Sequence, residues 1–248
     1  MKKVMIPEEG PDSSTSLARV VHPLNPVATV DELVKSLIAA GSITHVKKKR
    51  AVYAEGKAAT AVFYILKGKV KTCKWNEEGK ELITGLYQVG DFIGFDALMD
   101  GARYRDTAVV IEEAAFIEIA RADFDFLFRY NNSFLRKFVD ILTGNIAEKQ
   151  EQMLRMAYSP LRKKVAEALL HTYRKYNPNN LQEFSIDISR YNLAALAGVA
   201  RESLIRTLSD LRDENFIDIR NGKIVIPDTR KLEQLIYSNK KPAAQANE

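Results

Sequence analysis

Between Leu135 and Met156 the chain places Leu135, Val139, Leu142, Ile146, Lys149, Met153 and Met156 at alternating steps of four and three residues, and six of the seven are apolar. A helix with such a stripe keeps one narrow seam facing one way, and a second helix wound alongside fills it. The 3.5-residue period is that of a two-stranded coiled coil. A neighbouring stripe of Phe134, Phe138 and Ile141 faces elsewhere and suits the covering of a domain in the same subunit. The spacing predicts a parallel homodimer. A single helix buried on two sides is the alternative, and it explains a strict four-three count less well. Lys149 has two readings: one polar seam residue fixes register, whereas paired lysines at a dimer axis hold an anionic effector.

Helical periodicity runs from Phe124 to Ala157 and stops at Ser159-Pro160. Ser is a favoured N-cap, Pro fits the first helical position, and the residue before Pro is pushed out of the α region. One helix is expected to end here and another to begin, which makes this a domain boundary.

Ahead of the long helix, residues 1–28 hold four prolines and a Ser/Thr cluster without any period, and read as an extended leader. Thr29 and Glu32 form a capping box before Leu33, Val34, Leu37 and Ile38, with Gly41 as the stop. From Ile43 to Ile119 short β-rich runs alternate with turn signals: Val62–Leu66, Val70–Trp75, Leu82–Tyr87, Phe92–Ile93, Thr107–Ile111 and Ala115–Ile119. Such spacing predicts a barrel or sandwich, with Asn76-Glu77-Glu78-Gly79 as a hairpin turn.

Behind the boundary, Leu161–Tyr176 is amphipathic and Asn177–Asn180 is a loop. Ser189–Leu208 then reads as helix, Gly198-containing turn, helix. Leu193, Leu196 and Ala197 face inward on the first helix, Leu204, Leu208 and Leu211 on the second, and small Ala194, Ala195 and Gly198 permit close approach. The second helix presents Arg201, Glu202 and Arg206. A guanidinium fork donates twice to guanine O6 and N7, and a carboxylate accepts from cytosine N4, so this trio matches the major-groove code. A solvated face with Arg/Glu pairs is the competing reading. Alternating apolar residues around Asn221-Gly222 favour the first, since they add a β-wing directly after the helix pair. Arg220 and Lys223 at the wing tip, with Arg190 and Ser203, are candidate phosphate contacts.

Charge sets limits. The chain has 37 Lys+Arg against 32 Asp+Glu, a net +5, and 15 against 11 of these lie from Ala157 onward. Residues 185–226 nevertheless hold six basic and six acidic side chains, so specific contacts must carry more than nonspecific attraction. A single cysteine, Cys73, forms no internal disulfide and cannot ligate an iron–sulfur cluster; it is expected to be an apolar filler. His22, His45 and His171 are scattered, which argues against haem, any metal site and catalysis. No apolar run is long enough for a membrane span or a secretory signal, and a cytoplasmic protein is expected.

The segments Phe63–Val70, Asn76–Glu81 and Gly90-Asp91-Phe92-Ile93-Gly94, the long helix, and Arg201-Glu202-Ser203 with Arg206 together resemble the family of the cyclic AMP receptor protein and FNR, bacterial transcription regulators. Order and spacing agree from about Thr29 to Leu235. The resemblance implies an α+β chain with a cyclic-nucleotide-binding-type jelly-roll barrel (29–130), a dimerisation helix (131–158), a winged helix-turn-helix (159–237) and a polar tail (238–248). It also implies RNA polymerase as a partner and base reading by Arg201, Glu202 and Arg206. The site would be palindromic, with half-sites akin to TGTGA about 34 Å apart.

The effector pocket departs from the cyclic AMP pattern. Gly94-Phe95-Asp96 carries Phe95 where those members have a ribose-binding Glu, and Arg105-Asp106-Thr107 carries Asp106 where they have the phosphate-binding Arg. Phe95 cannot accept from a ribose, Asp106 would repel a phosphate, and Arg105 is one residue early on a strand. Lys149 and Gln150 correspond to the positions that touch adenine. The residue chemistry argues against cyclic AMP and leaves the effector unidentified. The alternatives are a regulator responsive to a cyclic nucleotide, haem or another small molecule, and a ligand-binding module without DNA function.

Overall fold

The computed structural model describes residues 29, 32, 34, 35, 38, 43–99, 103–181 and 183–237. The leader 1–28, the tail 238–248, and Leu33, Leu37 and Gly41 of the expected first helix lie outside the described residues. The capping box itself forms: Thr29 N–H donates to the Glu32 carboxylate at 2.8 Å, and Glu32 N–H to Thr29 Oγ1 at 3.3 Å.

Two compact units divide the chain. The first ends at Lys149; the second begins at Gln150 and takes in the hairpin tip Trp75–Ile83. In the first, six strands form one sheet: β1 (Ile43–Val46), β2 (Ala51–Tyr53), β3 (Ala61–Trp75), β4 (Glu81–Tyr87), β5 (Phe92–Ile93) and β6 (Thr107–Ala120). The order is β1-β6-β3-β4, with β2 also on β6 and β5 on β3. The sequence expectation broke both long strands in two. β3 instead runs 15 residues and β6 runs 14, because their interruptions face one another and pair through register shifts around Lys67, Lys69 and Glu112. Gly68 makes this possible. Its φ is +90°, and a Cβ there would fall on the Glu113 carbonyl oxygen and 2.7 Å from Ala114 Cα. β1 and β2 were not anticipated, nor was the short helix α1 (Phe95–Met99).

The expected helix from Phe124 onward is two. α2 (Arg121–Tyr130) ends and α3 (Asn132–Tyr158) begins at Asn131, which adopts φ −114° and ψ 102°. The cause is local. Asn131 N–H donates to Leu127 O at 2.9 Å, closing α2, while its side-chain oxygen accepts from Phe134 N–H at 2.8 Å, capping α3. Phe134 and Phe138 then enter the core as expected. Phe138 is fully buried, with ring centroids 4.6–5.3 Å from those of Phe92, Phe95, Phe124 and Phe134.

In the second unit α3 closes with Ser159 N–H on Arg155 O, and α4 (Leu161–Tyr176) opens with Pro160 as its N-cap. Ser159 therefore does not cap α4. The extended ψ of Pro160, 155°, places the boundary one residue later than the sequence suggests. α4 packs with α5 (Arg190–Ala197), α6 (Arg201–Asp213) and α7 (Thr229–Tyr237), around buried Leu169, Leu193, Leu204, Leu211 and Leu232. A three-stranded sheet of order β7-β9-β8 joins β7 (Ser185–Ile186) to the wing strands β8 (Asp218–Arg220) and β9 (Lys223–Val225). The wing was expected; β7 and α7 were not.

Candidate nucleic-acid interface and sensor site

Ser189 starts α5, its hydroxyl accepting from Asn192 N–H at 3.1 Å. Gly198 ends it in the left-handed region at φ +64°, the conformation a tight turn between two packed helices demands. α6 then seals its apolar face: Leu204 and Leu211 are fully buried and Leu208 nearly so. That packing turns Arg201, Glu202 and Arg206 outward, and all three are exposed. Ser203 is half-buried.

The other basic groups of this region have internal partners. Arg220 pairs with Asp218 at 2.7 Å, Lys223 with Asp187 at 3.5 Å, and Arg212 with Asp213 at 2.9 Å. Arg190 donates to the Gly222 carbonyl at 3.2 Å. Among the described residues, Arg201 and Arg206 are the basic side chains between 185 and 226 that make no ion pair or intramolecular hydrogen bond. The two forks on α6 are thus available to an outside acceptor.

The expected seam of α3 is largely uncovered in the single chain. Val139, Ile146 and Met153 are 49%, 59% and 71% exposed, whereas Leu135, Leu142 and Met156 are half-buried. Lys149 leaves the seam. Its long stem carries Nζ to β4, where it donates to the Thr84 carbonyl. In the single chain the ammonium is thus engaged by its own subunit's β4.

Of the residues expected at the effector pocket, Asp96, Asp106 and Lys149 lie within electrostatic reach of one another, and several of the others are committed elsewhere. Phe95 is buried in the aromatic core, Gly94 sits beneath the Tyr53 and Tyr104 rings, and Thr107 Oγ1 is spent on Glu55 N–H at 3.0 Å. Asp96, Arg105 and Gln150 are exposed. Asp106 gathers neighbours that sequence spacing did not reveal: Tyr53 O–H donates to it at 3.2 Å and Thr84 O–H at 3.3 Å, and Thr84 meets Thr72 at 2.9 Å. Burial raises the Asp106 pKa and the like charge of Asp96 adds to it, against the Thr72 and Tyr53 hydroxyls and the Lys149 charge. Burial pushes the Tyr53 and Tyr87 hydroxyls up and the Lys149 ammonium down. The sequence itself offers only Thr72 on β3 and Thr84 on β4, two hydroxyls whose meeting depends on strand pairing.

Comparisons with known proteins agree in order along the chain. The cyclic nucleotide-binding domain model matches residues 43–131, and the Crp-like helix-turn-helix domain model matches residues 163–235. The chain is 28% identical over 187 residues to the cAMP-activated global transcriptional regulator CRP of Salmonella typhimurium, covering 73% of this chain and 88% of that protein. It belongs to the CRP/FNR family of transcription regulators. Another relative is the fumarate and nitrate reduction regulatory protein of Yersinia pestis, 23% identical, with 79% of each chain covered. Among solved structures, FixK2 from Bradyrhizobium japonicum aligns with a TM-score of 0.69 at 20% identity, over 78% of this chain and 96% of that one, and shares the fold. As a CRP/FNR protein the chain is a DNA-binding regulator and not an enzyme. Among the described residues no helix is long and apolar enough to cross a membrane, and no cluster of three or more His, Cys, Asp or Glu groups is arranged to hold a metal ion.

Proposed function

We propose that the protein acts as a homodimer, joined along the α3 seam, and reads a palindromic site by laying α6 of each subunit in a major groove. Arg201 and Arg206 would take guanine edges and Glu202 a cytosine amine. Arg190, Ser203, Arg220 and Lys223 would contact phosphates and set register without choosing sequence. The observation that carries this reading is the pair of outward guanidinium groups on α6 with no internal partner, in a region whose other basic side chains are engaged. RNA polymerase is the proposed downstream partner.

We further propose that cyclic AMP is not the effector. The relative from Salmonella is described as cAMP-activated, but here a half-buried carboxylate, Asp106, occupies the position expected to meet the cyclic phosphate, and Phe95 is committed to the core. A fixed negative charge beside an incoming phosphate opposes binding. Selection of bound duplexes from a random pool, with and without cyclic nucleotides, tests both proposals. The expected result is a two-fold motif rich in G·C contacts that is indifferent to cyclic AMP, and whose guanine preference disappears in Arg201→Ala. A pool with no motif would refute the base readers, and recovery only with cyclic AMP would refute the effector reading.

A further inference from the structure

Ile205 is an aliphatic side chain on the polar, outward arc of α6, and it is 45% exposed. Isolated exposed aliphatic residues are ordinary on protein surfaces; the position of this one is not. With Arg201 as origin and about 100° per residue, Ile205 falls near 40°, Glu202 near 100° and Arg206 near 140°. The buried face of Leu204, Leu208 and Leu211 points away from that arc. Ile205 therefore stands between the three expected base readers, about one helical turn beyond Arg201. The other residues on the arc, Ser209, Arg212 and Asp213, are all polar.

We propose that Ile205 is a further specificity-determining residue, which packs against the C5-methyl group of a thymine in each half-site. The inference rests on α6 entering the major groove, as argued above. Among the four base pairs, the thymine methyl is the one apolar feature displayed in that groove. An aliphatic side chain gains by covering it. Against a cytosine amine or a purine N7 the same side chain strips water and returns no hydrogen bond, so Ile205 both favours thymine and penalises its competitors. The preferred half-site then combines guanines held by the arginine forks with one A·T pair recognised by its methyl group.

Deoxyuridine removes that methyl and leaves every hydrogen-bonding atom in place, which makes the test chemical as well as genetic. In the selected duplex each thymine of a half-site is replaced in turn by deoxyuridine, and full-length wild type, Ile205→Ala, Ile205→Val and Arg201→Ala are titrated at fixed salt. One position is expected to weaken wild-type binding about fourfold, the worth of one buried methyl group. Ile205→Val should keep most of that sensitivity, and Ile205→Ala should bind thymine and deoxyuridine duplexes alike. The proposal is overturned if wild type is indifferent to deoxyuridine everywhere, or if Ile205→Ala keeps the wild-type sensitivity. Failure of the groove reading shows separately, as an unchanged guanine preference in Arg201→Ala.

Discussion

The Arg190 guanidinium donates to the Gly222 carbonyl at 3.2 Å, so the first residue of α5 holds the tip of the wing. The contact ties the wing tip to the helix pair beside the β7–β9 pairing, and burial lowers the Arg190 pKa. Arg190 has five N–H donors, and one bond to Gly222 leaves others for phosphate. Arg190→Ala is expected to speed amide exchange at residues 221–223 and to cost about 1 kcal/mol of stability. If Arg190 also meets a phosphate, the slope of log K against log salt should fall by about 0.9. Exchange rates unchanged from wild type would refute the anchoring role.

Glycines 68 and 198 share a positive φ but differ in surroundings, and so should differ in what alanine does. At Gly198 a Cβ would lie 3.5 Å from Met156 Cε, an ordinary contact, leaving only the conformational penalty of about 1–2 kcal/mol. At Gly68 the Cβ would meet backbone of the facing strand, which cannot move aside without opening the paired bulges of β3 and β6. Gly68→Ala is expected to be much the more damaging in denaturant melts. Equal losses would show that the bulges are not needed.

What the sequence reveals and what it hides separate along a physical line. The Thr29–Glu32 box, the Gly198 turn, the Asn221-Gly222 wing and the Phe134/Phe138 stripe are short-range patterns, and each appears where its local chemistry places it. The joining of two strand pieces across Gly68 depends on β6, more than forty residues away, and no local pattern reports it. Asn131 escapes notice because the apolar period continues through it while its side chain competes with the helix. The neighbours of Asp106 come from β2, β3, β4 and α3, so its environment exists only after folding.

That environment makes a pH prediction. Asp106 has its folded-state pKa raised, first by burial and then by Asp96, against Lys149 and the Thr72 and Tyr53 hydroxyls. A carboxyl with a raised folded pKa favours folding below its unfolded value near 3.9, and loses that contribution as pH rises through the folded value. Ionised Asp106 should therefore be a liability at neutral pH. Asp106→Asn, which keeps the shape and an acceptor for Tyr53, is expected to raise the melting temperature at pH 7 and to bring little gain near pH 4. A variant less stable than wild type at pH 7 would mean that the charge is held by its partners more strongly than burial opposes it.

Two faces of α3 should respond differently to substitution. Phe138 is fully buried among four other phenylalanine rings, and Phe138→Ala is expected to cost about 3–5 kcal/mol, since the surrounding rings cannot close the space. Val139 and Ile146 on the neighbouring face are 49% and 59% exposed in the single chain. Val139→Glu with Ile146→Glu should leave the circular dichroism spectrum intact while placing like charges along the proposed seam. Sedimentation is then expected to show monomers where wild type shows dimers, and palindrome binding should weaken because two half-sites are no longer held together. A charged double variant that still sediments as a dimer would remove the seam from the proposal, and the exposed stripe would need another partner.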